Sequence, residues 1–427
     1  MARLRRSPDA PSAYRRLVAG RAGLVASILL FTFAAGLTLF RLSGLSHEVN
    51  ADWAMVDFRS SVYYPAVAFL RGDNPYDPRA FLAQYPSEDT FPLYLPAILL
   101  LHAPLALLGY AGAAITFYVF TLALTLVTAF VALRMNGVDR SAALVVFVAS
   151  LMVLSRPGHM NLLVGQNTLV YVLGTYLALW AAERSPIASG AGLMLACLKP
   201  TFGVPLAVLM LAQGHVRAVA IAAAMAVVLN LPPLLILARN AGGLTPFLNT
   251  TVANFLAFRS DPTVNPGESL LLIDVSGVVG RMLGRPPGLV VECLMAFVLL
   301  AAAATTLRVL GKSRDSWALG VTIICLTVLA TFHHQPYDLL LLTLPCVALL
   351  AHRYPEFFYR PSSYWALLSL LGVLAFNYVT THSTLAILRL SGSAELMLAL
   401  INGVVLLATF TLVVAATLAH GWSRRAT

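Results

Sequence analysis

Apolar runs that carry almost no charge follow one another from residue 22 to residue 418, and most of the breaks between them are short. Of the 427 residues, 59% are hydrophobic and only 11% are charged, whereas a soluble globular protein carries about 25% charged residues. A helix needs about 20 apolar residues to cross a bilayer. The sequence therefore predicts an all-α polytopic membrane protein, one transmembrane domain over residues 1–427, and excludes a large soluble domain.

We predict twelve membrane-spanning helices. The first lies behind six arginines and is too long for the apolar part of a cleaved signal sequence, so we predict that it is retained. The apolar stretch 93–108 contains two prolines and a histidine and is short for a crossing, which favours a re-entrant or interfacial segment. The predicted spans are 22–42, 110–133, 141–155, 168–182, 188–198, 201–213, 218–237, 288–307, 316–331, 337–352, 363–379 and 394–418.

The arginines set the predicted orientation. With the amino terminus inside, 17 of the 28 lysines and arginines fall on the cytoplasmic side, nearly all of them in short loops, as the positive-inside rule requires. Two long loops, 44–91 and 240–287, then face the extracytoplasmic side. Both are rich in Pro, Gly, Asn and aromatic residues, and we expect them to be non-helical and functional.

The composition also limits the chemistry. The four cysteines fall in or beside apolar stretches without paired spacing, which indicates small core residues and neither a disulfide framework nor a zinc site. No P-loop or dinucleotide-binding glycine motif occurs. The net charge of +10 is explained by cytoplasmic loops. We therefore predict no cofactor, no bound metal and no nucleic-acid partner.

Asp57 is the first candidate for chemistry. It lies in the first long loop, beside Arg59 and close to Tyr63 and Tyr64. A carboxylate at a membrane mouth suits a general base acting on a hydroxyl, because burial and neighbouring charges can adjust its pKa. The alternative is that Asp57 only caps the helix that contains the two tyrosines.

Two further segments carry polar groups where apolar runs end. Gly165, Gln166 and Asn167 form a cluster that could bind sugar hydroxyls or simply turn the chain. Lys199 lies between two apolar runs that are short for ordinary spans. A cation at membrane level is a functional hypothesis by default, and an outward-facing Lys199 suits a lipid phosphate. The alternative is that it extends to the interface.

The fourth segment contains His333, His334, Tyr337 and Asp338. Adjacent histidines on a helix point to different faces, so chelation of a metal by the pair is disfavoured. Hydrogen bonding to a phosphate or a sugar is favoured over it, and a satisfied interfacial histidine is the alternative. All four segments fall on the predicted extracytoplasmic face, which indicates one site for an anionic, lipid-borne substrate.

These segments, in this order, resemble the polyprenol-phosphate-mannose-dependent α-mannosyltransferases of glycosyltransferase family 87, which have the GT-C fold. The resemblance extends from about Asp57 to Pro345. This chain has Phe91-Pro92-Leu93-Tyr94 where the family usually shows Tyr-Pro-Pro. The matching segments are Asp57-Phe58 through Tyr63-Tyr64-Pro65-Ala66, Gly72 to Asp77, Phe91-Pro92-Leu93 with Ala103-Pro104-Leu105, Gly165-Gln166-Asn167, Ala191-Gly192 leading to Lys199-Pro200, and His334 to Asp338.

The resemblance implies an activity. Asp57 would deprotonate an acceptor hydroxyl, which attacks a β-linked polyprenyl phosphosugar and inverts it to an α-linkage. The sugar would be mannose, the acceptor a glycolipid or envelope polysaccharide, and the location a bacterial inner membrane with the site facing outward. By the same resemblance, the donor phosphate would be bound by Lys199, His333, His334 and Arg59, and the sugar or acceptor by Tyr63, Tyr64, Gly165, Gln166, Asn167, Tyr337 and Asp338.

Two alternatives remain open. Another polyprenyl phosphosugar, such as one carrying arabinofuranose, would use the same chemistry. A secondary transporter or lipid flippase would also have about twelve spans, but it should place its polar residues near the midplane of the bilayer. Their predicted position at one surface favours the enzyme.

Overall fold

The computed structural model describes residues 20–43, 54–311 and 316–426. Every regular element in these ranges is helical, which confirms the all-α prediction. The α-helices, in chain order, are α1 Arg21–Leu42, α2 Tyr64–Arg71, α3 Pro78–Gln84, α4 Ala97–Ala106, α5 Tyr110–Met135, α6 Ala142–Leu154, α7 Arg156–Val164, α8 Thr168–Ala181, α9 Pro186–Cys197, α10 Pro200–Ala212, α11 Val216–Asn240, α12 Leu244–Ser260, α13 Val275–Leu283, α14 Leu289–Leu310, α15 Trp317–Thr331, α16 Thr343–Leu350, α17 Pro361–Phe376, α18 His382–Ile387 and α19 Ser393–Ala426.

Tighter and wider helical turns complete the described chain. A π-helix covers Phe58–Tyr63, and 3₁₀ helices cover Pro336–Leu342 and Glu356–Tyr359. The first two adjoin candidate residues, since Asp57 precedes the π-helix and Asp338 belongs to the first 3₁₀ helix. Such irregular turns often occur at functional positions.

Five helices, α1, α5, α11, α14 and α19, are long and apolar enough to cross a membrane on their own. A sixth span results if α6 and α7, which are bent by 73° at Ser155, are counted together. The chain is therefore a multi-pass membrane protein. The other predicted spans all coincide with helices, but those helices have only 17 residues or fewer, so the number of twelve crossings stays a prediction.

The prediction that the two long loops are non-helical is wrong within the described residues. The first contains the π-helix, α2 and α3, and the second contains α12 and α13. Two of their aspartates begin helices, since Asp77 accepts from two backbone amides of α3 and Asp274 from two of α13. Proline favours the first turn of a helix and occupies it in α2 and α3, so part of the proline content that indicated irregular loops marks helix starts. The start of the first loop, 44–53, lies outside the described residues.

The stretch 93–108 forms the short helix α4, as expected of a segment too short to span. Its start is held by two neighbouring segments: the backbone N–H of Leu95 donates to the carbonyl of Leu198 at 3.2 Å, and that of Ala97 to the side chain of Asn230 at 2.8 Å. Its placement relative to the bilayer stays a prediction.

Close packing of α8 on α9 fixes the spacing of the candidate residues. A Cβ on Gly192 would lie 2.4 Å from the backbone nitrogen of Ala178, and one on Gly174 would lie 2.8 Å from the carbonyl oxygen of Gly192. Only glycine lets the two backbones approach this closely. The contact sets the start of α8, next to Asn167, against the end of α9, two residues before Lys199.

We expect Gly192→Ala to destabilise the protein by about 1–3 kcal/mol, because the new methyl group meets backbone atoms that must shift. The matched control is Gly36→Ala in α1, where a Cβ meets nothing within 4 Å and where alanine should be neutral or slightly stabilising. Thermal unfolding of both variants in detergent measures the difference. Equal unfolding temperatures would contradict the close packing of α8 on α9.

Candidate active site

The side chain of Asp57 contacts a distant segment of the chain and not the helix that follows it. It stands before the π-helix but makes no side-chain capping hydrogen bond there, so the capping alternative is wrong. Its Oδ2 accepts from the side-chain amide nitrogen of Gln166 at 3.1 Å. The carboxylate is therefore held toward the Gly165-Gln166-Asn167 segment, which is more than one hundred residues away in the chain.

Gly165 explains why these two segments meet. It ends α7 with φ +72°, and a Cβ there would lie 2.5 Å from the Cβ of Phe58 and 2.8 Å from the sulfur of Met55. A left-handed conformation and this close approach both require glycine. The backbone N–H of Met55 also donates to the carbonyl of Leu163 at 2.8 Å. The turn that we predicted at Gly165 thus packs directly against the residues that flank Asp57.

Gln166 is the centre of a polar network. Its amide nitrogen donates to Asp57 and also to the hydroxyl of Tyr337 at 3.2 Å. Its amide oxygen accepts from the backbone N–H of Asn167 at 2.8 Å and lies 3.4 Å from the hydroxyl of Tyr94. Because the oxygen is already used, the amide nitrogen is the end that faces Asp57. Gln166 is almost completely buried, so protein groups satisfy its side-chain amide.

A buried ion pair adjoins this network. The ammonium of Lys199 lies 2.8 and 2.7 Å from the two carboxylate oxygens of Asp338. Nδ1 of His334 lies 2.8 Å from one of the same oxygens, and the hydroxyl of Thr168 donates to the other at 3.2 Å. The ammonium also lies 5.2 Å from the centre of the Tyr337 ring, which places it next to the Gln166 network.

The structure gives His334 and Asp338 a different place from the predicted one. Both side chains are fully buried, and the other ring nitrogen of His334 lies 3.3 Å from the carbonyl of Thr201. The polar atoms of both side chains already have partners within the protein, which leaves none for a phosphate or a sugar. They lie behind Lys199 and hold it, because a buried ammonium needs a compensating charge.

Three other predicted residues lie outside this network. Arg59 donates to the carboxylate of Glu88 at 2.7 Å and to the carbonyl of Ala54 at 2.9 Å. The hydroxyl of Tyr63 donates to the carbonyl of Leu108, and the ring of Tyr64 stacks on Tyr110. All three side chains contact other protein groups in or near the first loop. Their predicted contacts with substrate stay predictions.

His333 occupies an intermediate place. It follows α15, it is partly buried, and its ring centre lies 5.4 Å from that of Phe258. Burial, with a smaller contribution from the charge of Lys199, lowers the pKa of His333 to about 3. At neutral pH it is an uncharged imidazole, which can donate one hydrogen bond.

Sequence reasoning missed two residues. Tyr94 contacts Gln166, although we noted it only as a departure from a motif. Asp89 adds negative charge near Asp57, and no pattern in the sequence pointed to it. Both influence the site from positions more than thirty residues after Asp57, which a scan for local motifs does not connect.

The electrostatics of Asp57 follow from this environment. Burial, together with the charge of Asp89, raises the pKa of Asp57 to about 7, and this value includes the opposing effect of the Lys199 charge. Burial also raises the pKa of Asp89 to about 6, together with the charges of Asp261 and Glu88. Removing a carboxylate from water disfavours its ionised form. Asp57 therefore changes protonation near neutral pH.

The described residues contain no group of three or more His, Cys, Asp and Glu side chains that could hold a metal ion. Asp338, which adjoins the network through Lys199, has its oxygens occupied by Lys199, His334 and Thr168. The arrangement offers a base, fixed amide donors and a paired ammonium. Such a set can take a proton from one group and stabilise negative charge on another.

A model of glycosyltransferase family 87 matches residues 93–332. The match covers more than half of the 427 residues and includes Tyr94, Gln166 and Lys199. No curated protein and no solved structure matches the chain significantly. With its membrane-spanning helices and the extent of this match, the chain belongs to glycosyltransferase family 87, a family of membrane glycosyltransferases.

Proposed function

We propose that this glycosyltransferase moves mannose from a polyprenyl phosphate donor to a hydroxyl of a glycolipid or envelope polysaccharide, with inversion to an α-linkage. The reaction takes place on the extracytoplasmic side of a bacterial inner membrane. The observation that carries the proposal is the place of Asp57: a carboxylate of pKa about 7, held by Gln166 beside a network that ends at Lys199.

Asp57 acts as the general base. Its carboxylate takes the proton of the acceptor hydroxyl while the hydroxyl oxygen forms a bond to the anomeric carbon. The bond from that carbon to the phosphate oxygen breaks, and its electron pair leaves with the polyprenyl phosphate. A base with a pKa near the working pH is efficient because it is largely ionised and still a strong proton acceptor. The amide of Gln166 keeps one carboxylate oxygen occupied, so the other is free to face the acceptor.

Lys199 stabilises the leaving phosphate. An ammonium has three N–H donors, and two of them face the oxygens of Asp338. The third has no acceptor among the described residues and is available to the phosphate, on which negative charge grows as the bond breaks. Asp338 and His334 act here as positioning residues. The neutral imidazole of His333 supplies a further donor.

The sugar pocket is formed by the amide side of the network. Gly165 brings Gln166 and Asn167 to the site, and Asn167 is itself held by a contact of 3.1 Å with the imidazole of His102. Tyr337 adds a hydroxyl at the other side of Gln166. Fixed amides and hydroxyls suit a ligand whose hydroxyls both donate and accept.

Two other functions compete with this proposal. A donor that carries arabinofuranose would use the same base and the same ammonium, and it is distinguished only by offering both donors. A transporter or flippase is not what membership of a glycosyltransferase family indicates. Incubation of the purified protein with polyprenyl phosphomannose, its arabinofuranose counterpart and a panel of acceptors, followed by analysis of the lipid and glycan products, tests the donor directly.

Asp57→Asn should lower the rate of sugar transfer by about 10²–10⁴-fold, because the amide cannot accept the proton of the acceptor. Binding of the donor should remain. Asp139→Asn is the matched control, since Asp139 is exposed in the turn after α5. The transfer rates of the two variants are measured with radiolabelled donor. Full transfer by Asp57→Asn would refute the role of Asp57 as the base.

The pH dependence of transfer should follow the ionised fraction of Asp57. A pKa of about 7 means that kcat/KM falls about tenfold per pH unit below pH 7 and levels off above it. Asp89→Asn removes a charge that raises this pKa, so the acid limb should move to lower pH while the plateau changes little. A pH profile that is the same in the wild type and the Asp89 variant would contradict the electrostatic coupling.

Variants of the Lys199–Asp338 ion pair distinguish its effect on stability from its effect on transfer. Asp338→Asn leaves the ammonium without its counter-charge, and we expect a loss of about 3–5 kcal/mol in stability. The double variant Lys199→Met/Asp338→Leu removes both charges and should be more stable than the single one. It should still be inactive, because the phosphate has lost its donor. Thermal unfolding and transfer assays of both variants measure this, and an active double variant would exclude a role for Lys199 in transfer.

A further inference from the structure

We propose that a second polar pocket, distinct from the Asp57 network, binds one neutral sugar ring of the acceptor. The assignment to the acceptor rests on the proposed function, whereas the binding of a neutral sugar rests on the pocket alone. The pocket lies between the α2–α3 segment of the first loop and the junction of α11 with α12. Its polar lining residues are Asp73, Asn74, Asp77, Gln84, Asn240 and Thr250.

The size of the pocket suits a single ring. Its volume is about 180 Å³, far above the ~10–15 Å³ that one water molecule needs. It is smaller than the roughly 300–1,000 Å³ of pockets that enclose a whole drug-sized ligand. An intermediate volume of this kind fits one unit of a longer molecule. The aromatic side chains of Phe81 and Tyr85 contribute an apolar part of the wall, against which the C–H face of a sugar can pack.

The walls are held in place by hydrogen bonds across the pocket. The amide of Asn74 donates to the hydroxyl of Thr250 at 3.2 Å, and that of Asn240 donates to the carbonyl of Gly72 at 2.9 Å. The hydroxyl of Tyr85 donates to one oxygen of Asp73 at 2.5 Å. The two sides, more than 160 residues apart in the chain, are thus fixed before a ligand arrives, which lowers the entropic cost of binding.

Several polar atoms remain for a ligand. One oxygen of Asp73 is used by Tyr85, and one oxygen of Asp77 accepts from the backbone amides of Arg79 and Ala80. The second oxygen of each carboxylate and the amide of Gln84 have no partner among the described residues. Two carboxylate acceptors and an amide can bind the neighbouring hydroxyls of a sugar, and hydrogen bonds to charged acceptors are the stronger kind.

The charge of the lining selects among ligands. No lysine or arginine is among the described residues that line the pocket, and Arg71 lies outside the lining, with its guanidinium 5.9 Å from the centre of the Tyr85 ring. An anionic sugar or a phosphate would therefore meet two carboxylates inside the pocket, which disfavours it. A metal is also disfavoured, because no group of three or more His, Cys, Asp and Glu side chains that could hold one occurs in the described ranges. A neutral polyhydroxylated ring is the ligand class that remains.

The pocket is connected to the Asp57 network through shared structure. Tyr76 lies two residues after Asn74, and its hydroxyl donates to the carbonyl of Tyr94 at 2.6 Å. The hydroxyl of Tyr94 in turn contacts Gln166. The segment that forms one wall of the pocket is therefore packed against the residues that hold Asp57. An acceptor with several sugars can place one in this pocket and a hydroxyl of another at Asp57.

The test fills the pocket without removing any of its hydrogen bonds. Ala80 lines the pocket from α3 and is exposed, so Ala80→Trp should occupy the space of the sugar. The matched control is Ala83→Trp, which places the same bulk on an exposed position of the same helix that is not among the lining residues. Unfolding temperatures equal to that of the wild type show that both variants are folded.

Binding is measured first, on the full-length protein in detergent. Methyl α-mannoside is the probe, and saturation-transfer NMR reports its contact with the protein. We expect the signal to decrease in Ala80→Trp and to stay at the wild-type level in Ala83→Trp. Equal signals from the two variants would overturn the proposal. Binding of Ca²⁺, added as CaCl₂, at this pocket without binding of the methyl mannoside would also overturn it.

Transfer is measured second, with acceptors of one and of three mannose units. Losing about two hydrogen bonds should raise the KM for the three-unit acceptor by about 10- to 30-fold in Ala80→Trp, with little change for the one-unit acceptor or in kcat. If the wild type transfers no sugar from polyprenyl phosphomannose, the proposed function fails, but a binding loss confined to Ala80→Trp still supports the pocket. If transfer occurs and both tryptophan variants behave alike, only the pocket proposal fails.

Discussion

The buried contact between Lys199 and Asp338 is the constraint on which the candidate site depends. It joins the junction of α9 and α10 to the 3₁₀ helix that follows α15. An isolated ammonium at this depth would be very costly, and the carboxylate reduces that cost only at hydrogen-bonding distance. The position of Lys199 is therefore fixed by its counter-charge. Thr168 and His334 also contact the carboxylate of Asp338. The start of α8 is therefore held next to the ion pair.

A second constraint places Asp57 in this frame. The absence of a side chain at Gly165 lets the turn after α7 rest on Phe58, and Gln166 then reaches both Asp57 and Tyr337. Asp57 and Lys199 are thus parts of one packed unit, although 142 residues separate them in the chain. Partial burial of Asp57 has a chemical consequence, because it raises the pKa to the range in which a carboxylate is a useful base.

The two long loops add a recognition surface to this centre. They are largely helical where described, and their contacts with α11 and with each other give the region around Asn74 and Asn240 a defined shape. In our proposal, the carboxylates and amides of the second pocket bind a neutral sugar there, while the positive charge lies at Lys199. The proposed phosphate position thus has a positive charge, whereas the proposed acceptor position has negative charges.

The sequence by itself determined the helical membrane class, because long uncharged runs cannot be stable in water or remain irregular in a bilayer. It also identified Asp57, Gln166 and Lys199 as candidates, because polar groups at the ends of apolar runs are costly to bury and often mark functional sites. It did not predict the helices in the long loops, where Asp77 and Asp274 act as caps. Nor did it determine which polar groups would be partners.

Those partnerships were decided by the tertiary structure. Lys199 meets Asp338 across 139 residues and Gln166 meets Asp57 across 109, separations over which no local pattern carries information. The same packing moved His334 and Asp338 from a predicted substrate surface to the interior, because their charges and donors were needed to support Lys199. The physical reason is that the burial of a polar group and the choice of its partner depend on the packing of distant helices, whereas helix formation depends on neighbouring residues.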